Sequence, residues 1–232
     1  MITERQRKIL DVIIEEYINS AEPVSSQILA HKFGFDLCSA TMRIEMKNLT
    51  DLGFLEKPYI SSGRIPTDKA YRVFVDSFLS EAIKEEFDLE DVFRKNIDEF
   101  KLVKELTDFL AGTSSSYIVM SFPERGLSWQ AGLNDIIKEP EFLEKDFILN
   151  FLSFLEEFSR EQERLNLESN IKVFIGEENP FEKGHEFSLI CSENILNNNE
   201  KLRLSLIGPK RMDYCKNINL INSLIKMIDE KI

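Results

Sequence analysis

The chain has 232 residues, 43% hydrophobic and 30% charged, with nine Gly and seven Pro, a composition that fits one or two globular domains and excludes a disordered or fibrous protein. Apolar runs such as Val12 to Ile14 and Tyr117 to Met120 fall far short of the roughly 20 residues that span a bilayer. The N-terminus shows no apolar signal region, so the expectation is a cytoplasmic protein without membrane association.

Charge and cysteines narrow the class further. Cys38, Cys191 and Cys215 form no CxxC pair, and His31 and His185 are far apart, which argues against a zinc site and a disulfide framework. A net charge of −12 argues against nucleic acid as a partner. Its distribution reverses that reading: the first 75 residues carry ten basic and ten acidic side chains, so the whole excess lies after them. Between His31 and Arg72 seven basic residues face five acidic ones, enough for a local phosphate-binding surface.

Thr3 with Gln6 three residues on forms a capping-box pattern. It opens a helix whose stripe is Ile9, Val12, Ile13 and Tyr17, with Leu10 and Ile14 alongside. Ala21 to Ser25 breaks that helix and supplies Ser25 as an N-cap. A short second helix is predicted from about Ser26 to Phe33, with Ile28, Leu29 and Phe33 inward and Gly34 as its stop. Ser39 is the third predicted N-cap, and Met42, Met46, Leu49 and Leu52 line one side of the helix that Gly53 ends. Then Phe54 to Pro58, the loop with Gly63, and Ile65 to Thr67 read as a small hairpin whose prolines mark edge strands. Three helices and a hairpin outline a winged helix-turn-helix, whose third helix enters the major groove. A helix from about Asp68 to Leu79 turns Tyr71, Phe74, Val75 and Phe78 inward.

A charged helical segment follows from 81 to 110, with Phe87, Leu89, Val92, Phe93, Ile97, Phe100, Val103 and Leu106 as its packing face. A turn at 112–116 leads to a predicted strand, Tyr117 to Phe122, and Phe142 to Arg160 reads as a strong helix. Strands are expected at 171–175, 187–191 and 202–207, and a last helix at 214–228. The second half is therefore α+β, a small sheet covered by helices. The boundaries expected are 1–76 for the winged unit, 77–111 for a helical linker or packing segment and 112–232 for the α+β domain.

The third helix carries the clearest chemistry. Arg43 and Lys47 are four apart and share the face opposite the apolar stripe. Alone, that pattern also describes an ordinary amphipathic surface helix; its place as third helix before a wing bearing Arg64 favours DNA. In the second half no Gly-rich phosphate loop, nucleophile elbow or HExxH is found, no carboxylate pair stands out, and Gly176-Glu177-Glu178 is acidic, so no enzyme and no cofactor is expected. Lys210 and Arg211 read either as an anion grip or as a turn before the last helix.

Residues 2–76 resemble the N-terminal domain of the HrcA family of heat-inducible transcription repressors. The likeness rests on Thr3 to Leu10, Glu22-Pro23-Val24-Ser25-Ser26, Ser39 to Met46 and, most specifically, Ser61-Ser62-Gly63-Arg64-Ile65-Pro66-Thr67-Asp68-Lys69-Ala70-Tyr71-Arg72. Gly132 to Phe142, Ile175 to Asn179 and Ile207 to Tyr214 resemble its C-terminal blocks. The resemblance implies a winged helix-turn-helix followed by a GAF-like domain that carries an inserted dimerising domain. It further implies binding to the CIRCE inverted-repeat operator upstream of chaperone operons, support from the GroE chaperonin, and a homodimer.

Two departures stand out. Only about nine residues separate the strand at 117–122 from Gly132, where the resemblance implies a long stretch that includes the insert, so the GAF-like domain is reduced. A dimer would then have to use the GAF-like sheet or the 81–110 segment. Ile44 stands where the family pattern commonly has Asn, replacing a possible bidentate adenine contact with an apolar one.

The expected DNA-contacting set follows. Ser39, Thr41, Arg43, Ile44 and Lys47 face the major groove; Ser25, Ser26 and Gln27 open the second helix toward a phosphate; Ser62, Gly63 and Arg64 form the wing tip. Lys69 and Arg72 either meet the backbone or sit on a solvated helix face. Two other readings stay open: a winged-helix regulator whose GAF-like domain senses a small molecule, and an interaction protein that has lost DNA binding.

Overall fold

The computed structural model describes residues 2–32, 38–59, 62–79, 87–95, 98–165, 167 and 171–231. The chain divides into two compact units, Met1–Ser80 and Glu81–Ile232.

In the first unit α1 spans Glu4–Ser20, and the Thr3 hydroxyl and Gln6 side chain close the capping box expected of them. Its buried residues are Ile9, Leu10, Ile13 and Ile14, with Val12 and Tyr17 half-buried at the rim. Helix α2 spans Ser26–Lys32, and the Ser25 hydroxyl accepts from the Ile28 amide at 3.3 Å, so Ser25 is its cap. Phe33 and Gly34 lie outside the described residues. Leu29 is buried but Ile28 is exposed, because a seven-residue helix offers only a narrow inward stripe.

Helix α3, Ser39–Asp51, begins one residue earlier than expected: Cys38 is its N-cap and Ser39 its first helical residue. Met42, Met46 and Leu49 are buried, whereas Leu52, already at the C-cap, is exposed. Strands β1, Leu55–Glu56, and β2, Ile65–Pro66, pair antiparallel with Leu55 opposite Pro66. A third strand position was not foreseen: Val24 and Arg64 exchange both backbone hydrogen bonds at 2.9 Å, which ties the α1–α2 turn to the wing. Gly63 is required there, since a Cβ would collide with the carbonyl oxygens of Pro23 and Val24. Helix α4, Asp68–Leu79, buries Ala70, Tyr71, Phe74 and Val75.

In the second unit α5 spans Glu90–Lys95 and α6 Glu99–Ser114, the latter capped by the Asp98 carboxylate, which accepts from the Lys101 amide at 2.9 Å. These helices fall in the stretch expected as a linker or packing segment, and α6 packs on the sheet of this unit. The sheet has five antiparallel strands in the order β4-β3-β7-β6-β5. They are β3 (Tyr117–Phe122), β4 (Leu127–Ala131), β5 (Lys172–Ile175), β6 (Phe187–Ile195) and β7 (Lys201–Pro209). Strand β4 escaped the sequence reading because Leu-Ser-Trp-Gln-Ala is a half-buried edge with no long apolar run. A tight turn, Pro123–Arg125 with Gly126, joins β3 to β4 in the stretch where the family resemblance implies an insert.

Helix α7 is short, Leu133–Ile136; α8 spans Lys145–Glu161 and α9 Tyr214–Lys231. Because successive strand residues point to opposite faces, the sheet builds two layers. On one face Val119, Phe187, Leu189, Cys191 and Ile207 join Phe151, Phe154 and Phe158 of α8 in one core. The opposite face carries Ile118, Met120, Leu204 and Leu206, and α6 and α9 pack on the sheet. The fold is thus α+β, as read from the sequence.

Candidate nucleic-acid interface

Helix α3 has two sharply different sides. Met42, Glu45, Met46 and Leu49 are buried, while Ala40, Arg43, Ile44, Lys47 and Asn48 are exposed. Ile44 is 61% exposed, so the unusual residue of the family pattern stands on the outer face and not in the core. Lys47 makes no ion pair or side-chain hydrogen bond among the described residues. Asn48, also exposed on α3, was not singled out from the sequence, though it lies four residues from Ile44.

Polar ties hold this helix at both ends. Toward its start, Arg43 Nε donates to Ser26 Oγ at 3.2 Å, joining α3 to α2. In the middle, the 5%-exposed Glu45 carboxylate pairs with Arg5 and accepts from Gln6 Nε2 at 3.0 Å, both on α1. At the far end Arg64 Nε donates to Thr50 Oγ1 at 3.1 Å and Lys69 Nζ donates to the Leu52 carbonyl at 2.8 Å. Lys69 also lies 4.4 Å over the Phe54 ring. A cation at the last carbonyls of a helix is favourable both as a hydrogen bond and against the helix dipole.

The expected site residues therefore separate into two groups. Arg43, Ile44 and Lys47 share the outer face of α3, with Gln27 exposed on α2. Thr41 is half-buried and its hydroxyl lies 3.3 Å from the Cys38 sulfur. That hydroxyl and the first amides of α3 hold the exposed Cys38 thiol below its ordinary pKa. Arg64 and Lys69 clamp the end of α3, and Arg72 bonds Asp76 one turn along α4 at 3.1 Å. Ser25 is a helix cap, Ser39 begins α3, and Ser62 closes a turn by donating to the Tyr59 carbonyl at 2.8 Å. Ser61 lies outside the described residues.

The sequence reading missed Glu45, Arg5 and Thr50, and took Gln6 only as a capping residue of α1 without its bond to Glu45. One signal was available: a carboxylate within an apolar stripe must find a partner when the stripe is buried.

In the second unit Arg211 is enclosed by Glu139 and Glu141, with Nε to Glu141 Oε1 at 2.6 Å and NH2 to Glu139 Oε2 at 2.5 Å. It ties two of the blocks that carried the resemblance, so the turn reading of Lys210 and Arg211 fits this geometry. Gly132, in the first of those blocks, has φ +96° and no room for a Cβ against the Ser116 carbonyl. Burial pushes the Cys191 thiol up to about 12, and all three cysteines are free. Among the described residues no cluster of His, Cys, Asp and Glu could hold a metal ion, and no helix is long and apolar enough to cross a membrane. An open groove of about 510 Å³ runs between α8 and the β3–β4 hairpin, with Tyr117, Gln130, Leu155 and Ser159 among its lining.

Three helices, a wing tied back to the α1–α2 turn and an outward basic face on the third helix, followed by a separate α+β unit, are the layout of a winged-helix transcription regulator. The family model for the HrcA protein C terminal domain matches residues 73–218. The chain belongs to the HrcA family.

Its relatives agree with that placement. It is 26% identical to the heat-inducible transcription repressor HrcA of Thermodesulfovibrio yellowstonii over 339 residues, covering 98% of this chain and 97% of that one. The HrcA repressor of a Thermoanaerobacter species is 40% identical over 125 residues, 53% of this chain and 36% of the relative. Since 232 residues cannot fill 339 aligned positions, over a hundred positions of the Thermodesulfovibrio protein have no counterpart here. A crystal structure of a hypothetical protein at 2.2 Å resolution superposes with a TM-score of 0.82 at 19% identity, covering 99% of this chain and 98% of that one, so the fold is shared.

Proposed function

We propose that this protein represses heat-shock genes by occupying a CIRCE-type inverted-repeat operator with α3 in the major groove. The observation that carries the reading is the outer face of α3: Arg43, Ile44 and Lys47 are presented together by a helix that five polar ties hold in place. Arg43 is the residue for a guanine edge, since a bidentate arginine contact discriminates by roughly 1 to 3 kcal/mol. Lys47 supplies sequence-independent attraction to phosphate. Gln27, with the N-terminus of α2, lies toward the backbone, and Arg64 and Lys69 act by setting the pitch of α3. A two-fold operator calls for two copies of the chain. The family resemblance adds release of repression when the GroE chaperonin is diverted by heat, and a cytoplasmic site of action follows from DNA as the target.

Transcription in vitro from a chaperone promoter bearing the inverted repeat tests this. The protein is expected to lower transcript yield in a repeat-dependent manner, the Arg43→Ala variant is expected to lose that effect, and added chaperonin is expected to strengthen it. Equal transcription with and without the protein overturns the repressor reading; indifference to chaperonin overturns only that part.

A further inference from the structure

Helix α8 buries Phe151, Phe154 and Phe158 and leaves a second apolar line outside. Leu149 and Leu152 are 50% and 44% exposed. They lie in a row with Lys145, Glu156 and Ser159, at alternating spacings of four and three residues that place all five on one seam of the helix. The seam is apolar in the middle, basic at its start and acidic toward its end. Neither the Lys145 nor the Glu156 side chain has an ion pair or hydrogen bond among the described residues.

Two features flank this seam. Just before α8, Leu143 is 87% exposed, the most exposed large apolar side chain among the described residues. Beside its C-terminal half opens the groove of about 510 Å³, walled by Leu152, Leu155, Glu156 and Ser159. A knob stands at one end of the helix and a hole at the other.

We propose that this face pairs with a second copy of the chain, α8 lying antiparallel to α8 about a two-fold axis between Leu149 and Leu152. In that register Leu149 meets the partner's Leu152 and Lys145 meets the partner's Glu156. Leu143 comes level with the C-terminal end of the opposing helix, where the partner's groove opens. Every contact occurs twice, as an isologous interface requires. A parallel pairing would set lysine against lysine and glutamate against glutamate, so the charges select the antiparallel arrangement. The occupant is a second copy because the pattern is complementary to itself under the two-fold and needs no other chemistry. One helix pair with a single added anchor buries less than the ~800 Å² per partner of a standard interface, so this dimer dissociates on dilution. The inference does not rest on the DNA contacts, since none of these residues belongs to the first unit, although a second copy is also what a two-fold operator calls for.

The test is sedimentation velocity on the full chain over a roughly hundredfold range of micromolar concentration. Lys145→Glu and Glu156→Lys are each expected to weaken self-association at least tenfold, since each sets like charges together at both ends of the seam. Mixed one to one, the two single variants are expected to form a heterodimer, because both cross-pairs are again opposite in charge. The Lys145→Glu/Glu156→Lys double variant is expected to regain self-association. These side chains are exposed, so Trp129 fluorescence should report an unchanged fold. A wild-type monomer at every concentration overturns the proposal and leaves the groove to another ligand. A dimer indifferent to the charge reversals, or single variants that fail to associate when mixed, also overturns it.

Discussion

Helices α3 and α8 are built on the same period and expose one face each, yet they are fixed and charged in opposite ways. Helix α8 is held by aromatic packing: Phe154 stacks on Phe187 with ring centres 5.5 Å apart and meets Phe181 at 6.0 Å. Helix α3 is held by hydrogen bonds and ion pairs from α1, α2, the wing and α4. The outer face of α3 is basic around one isoleucine; that of α8 is apolar between opposite charges. The buried stripe makes each a helix of a globular protein, and the residual pattern outside it separates a face suited to a polyanion from one suited to its own copy.

Breaking the anchor of α8 has the largest expected effect. Phe154→Ala removes a fully buried ring and is expected to cost about 3–5 kcal/mol, read by denaturant unfolding followed at Trp129, the chain's single tryptophan, which packs on Phe100 and Phe122 in the second unit. The matching change in α3, Glu45→Ala, removes a carboxylate whose partner Arg5 is already part-solvated, and a loss of about 1–3 kcal/mol is expected. It should also weaken operator binding although Glu45 faces away from the exposed side, which titration with the inverted repeat would detect.

Ile44→Asn sharpens the contrast at the outer face. The side chain is exposed, so stability should hold while the preferred half-site changes, with roughly 1–3 kcal/mol of new discrimination at an adenine position; a panel of single-base operator variants reads it out. Lys69→Ala tests the clamp reading: removing its bond to the Leu52 carbonyl is expected to cost about 0.5–1.5 kcal/mol and to lower affinity for the inverted repeat more than for a scrambled duplex, whereas an equal loss on all duplexes would mark a phosphate contact instead.

Acid separates the two units by sign. The desolvation cost at Glu193 is outweighed by its hydrogen bonds and charge contacts with Lys201 and Arg203, and its pKa lies below the usual 4.5. The stability it contributes is present above pH 4.5 and lost as the pH falls through that lower value. Asp11 in the first unit is the reverse case, raised from 3.8 chiefly by burial despite its contacts with Arg7, so protonation favours its folded state as the pH falls through the raised value. Melts at successive acid pH values should show Trp129 reporting a destabilised second unit while the Asp11 contribution moves the other way.

Much of the first unit was legible because its signals are local. A capping box, a Gly after an apolar stripe and a Gly–Arg wing motif each need only neighbouring residues, and α1, α3 and the wing follow from them. What the sequence hid depends on chain segments far apart. Nothing near Arg64 announces that Thr50 will take its Nε, and nothing near Lys69 announces the Leu52 carbonyl, so Arg64 read as a wing-tip contact to DNA and Lys69 as a backbone contact or a solvated face. For Arg211 an anion grip stayed open beside the turn reading because Glu139 and Glu141 lie some 70 positions earlier in the chain. Strand β4 stayed hidden because its residues alternate between half-buried and exposed with none fully buried, unlike the other edge, β5, which buries Val173 and Ile175.

The central claim is that the outer face of α3 reads DNA, and fluorescence anisotropy with the full chain tests it directly. Wild type and Arg43→Ala would be titrated against a CIRCE-type inverted repeat and a scrambled duplex at two salt concentrations. The account predicts a strong preference for the repeat in the wild type, its loss in Arg43→Ala, and a residual salt-sensitive binding common to both duplexes. Equal binding of repeat and scramble by the wild type, or a preference that survives Arg43→Ala undiminished, would contradict it.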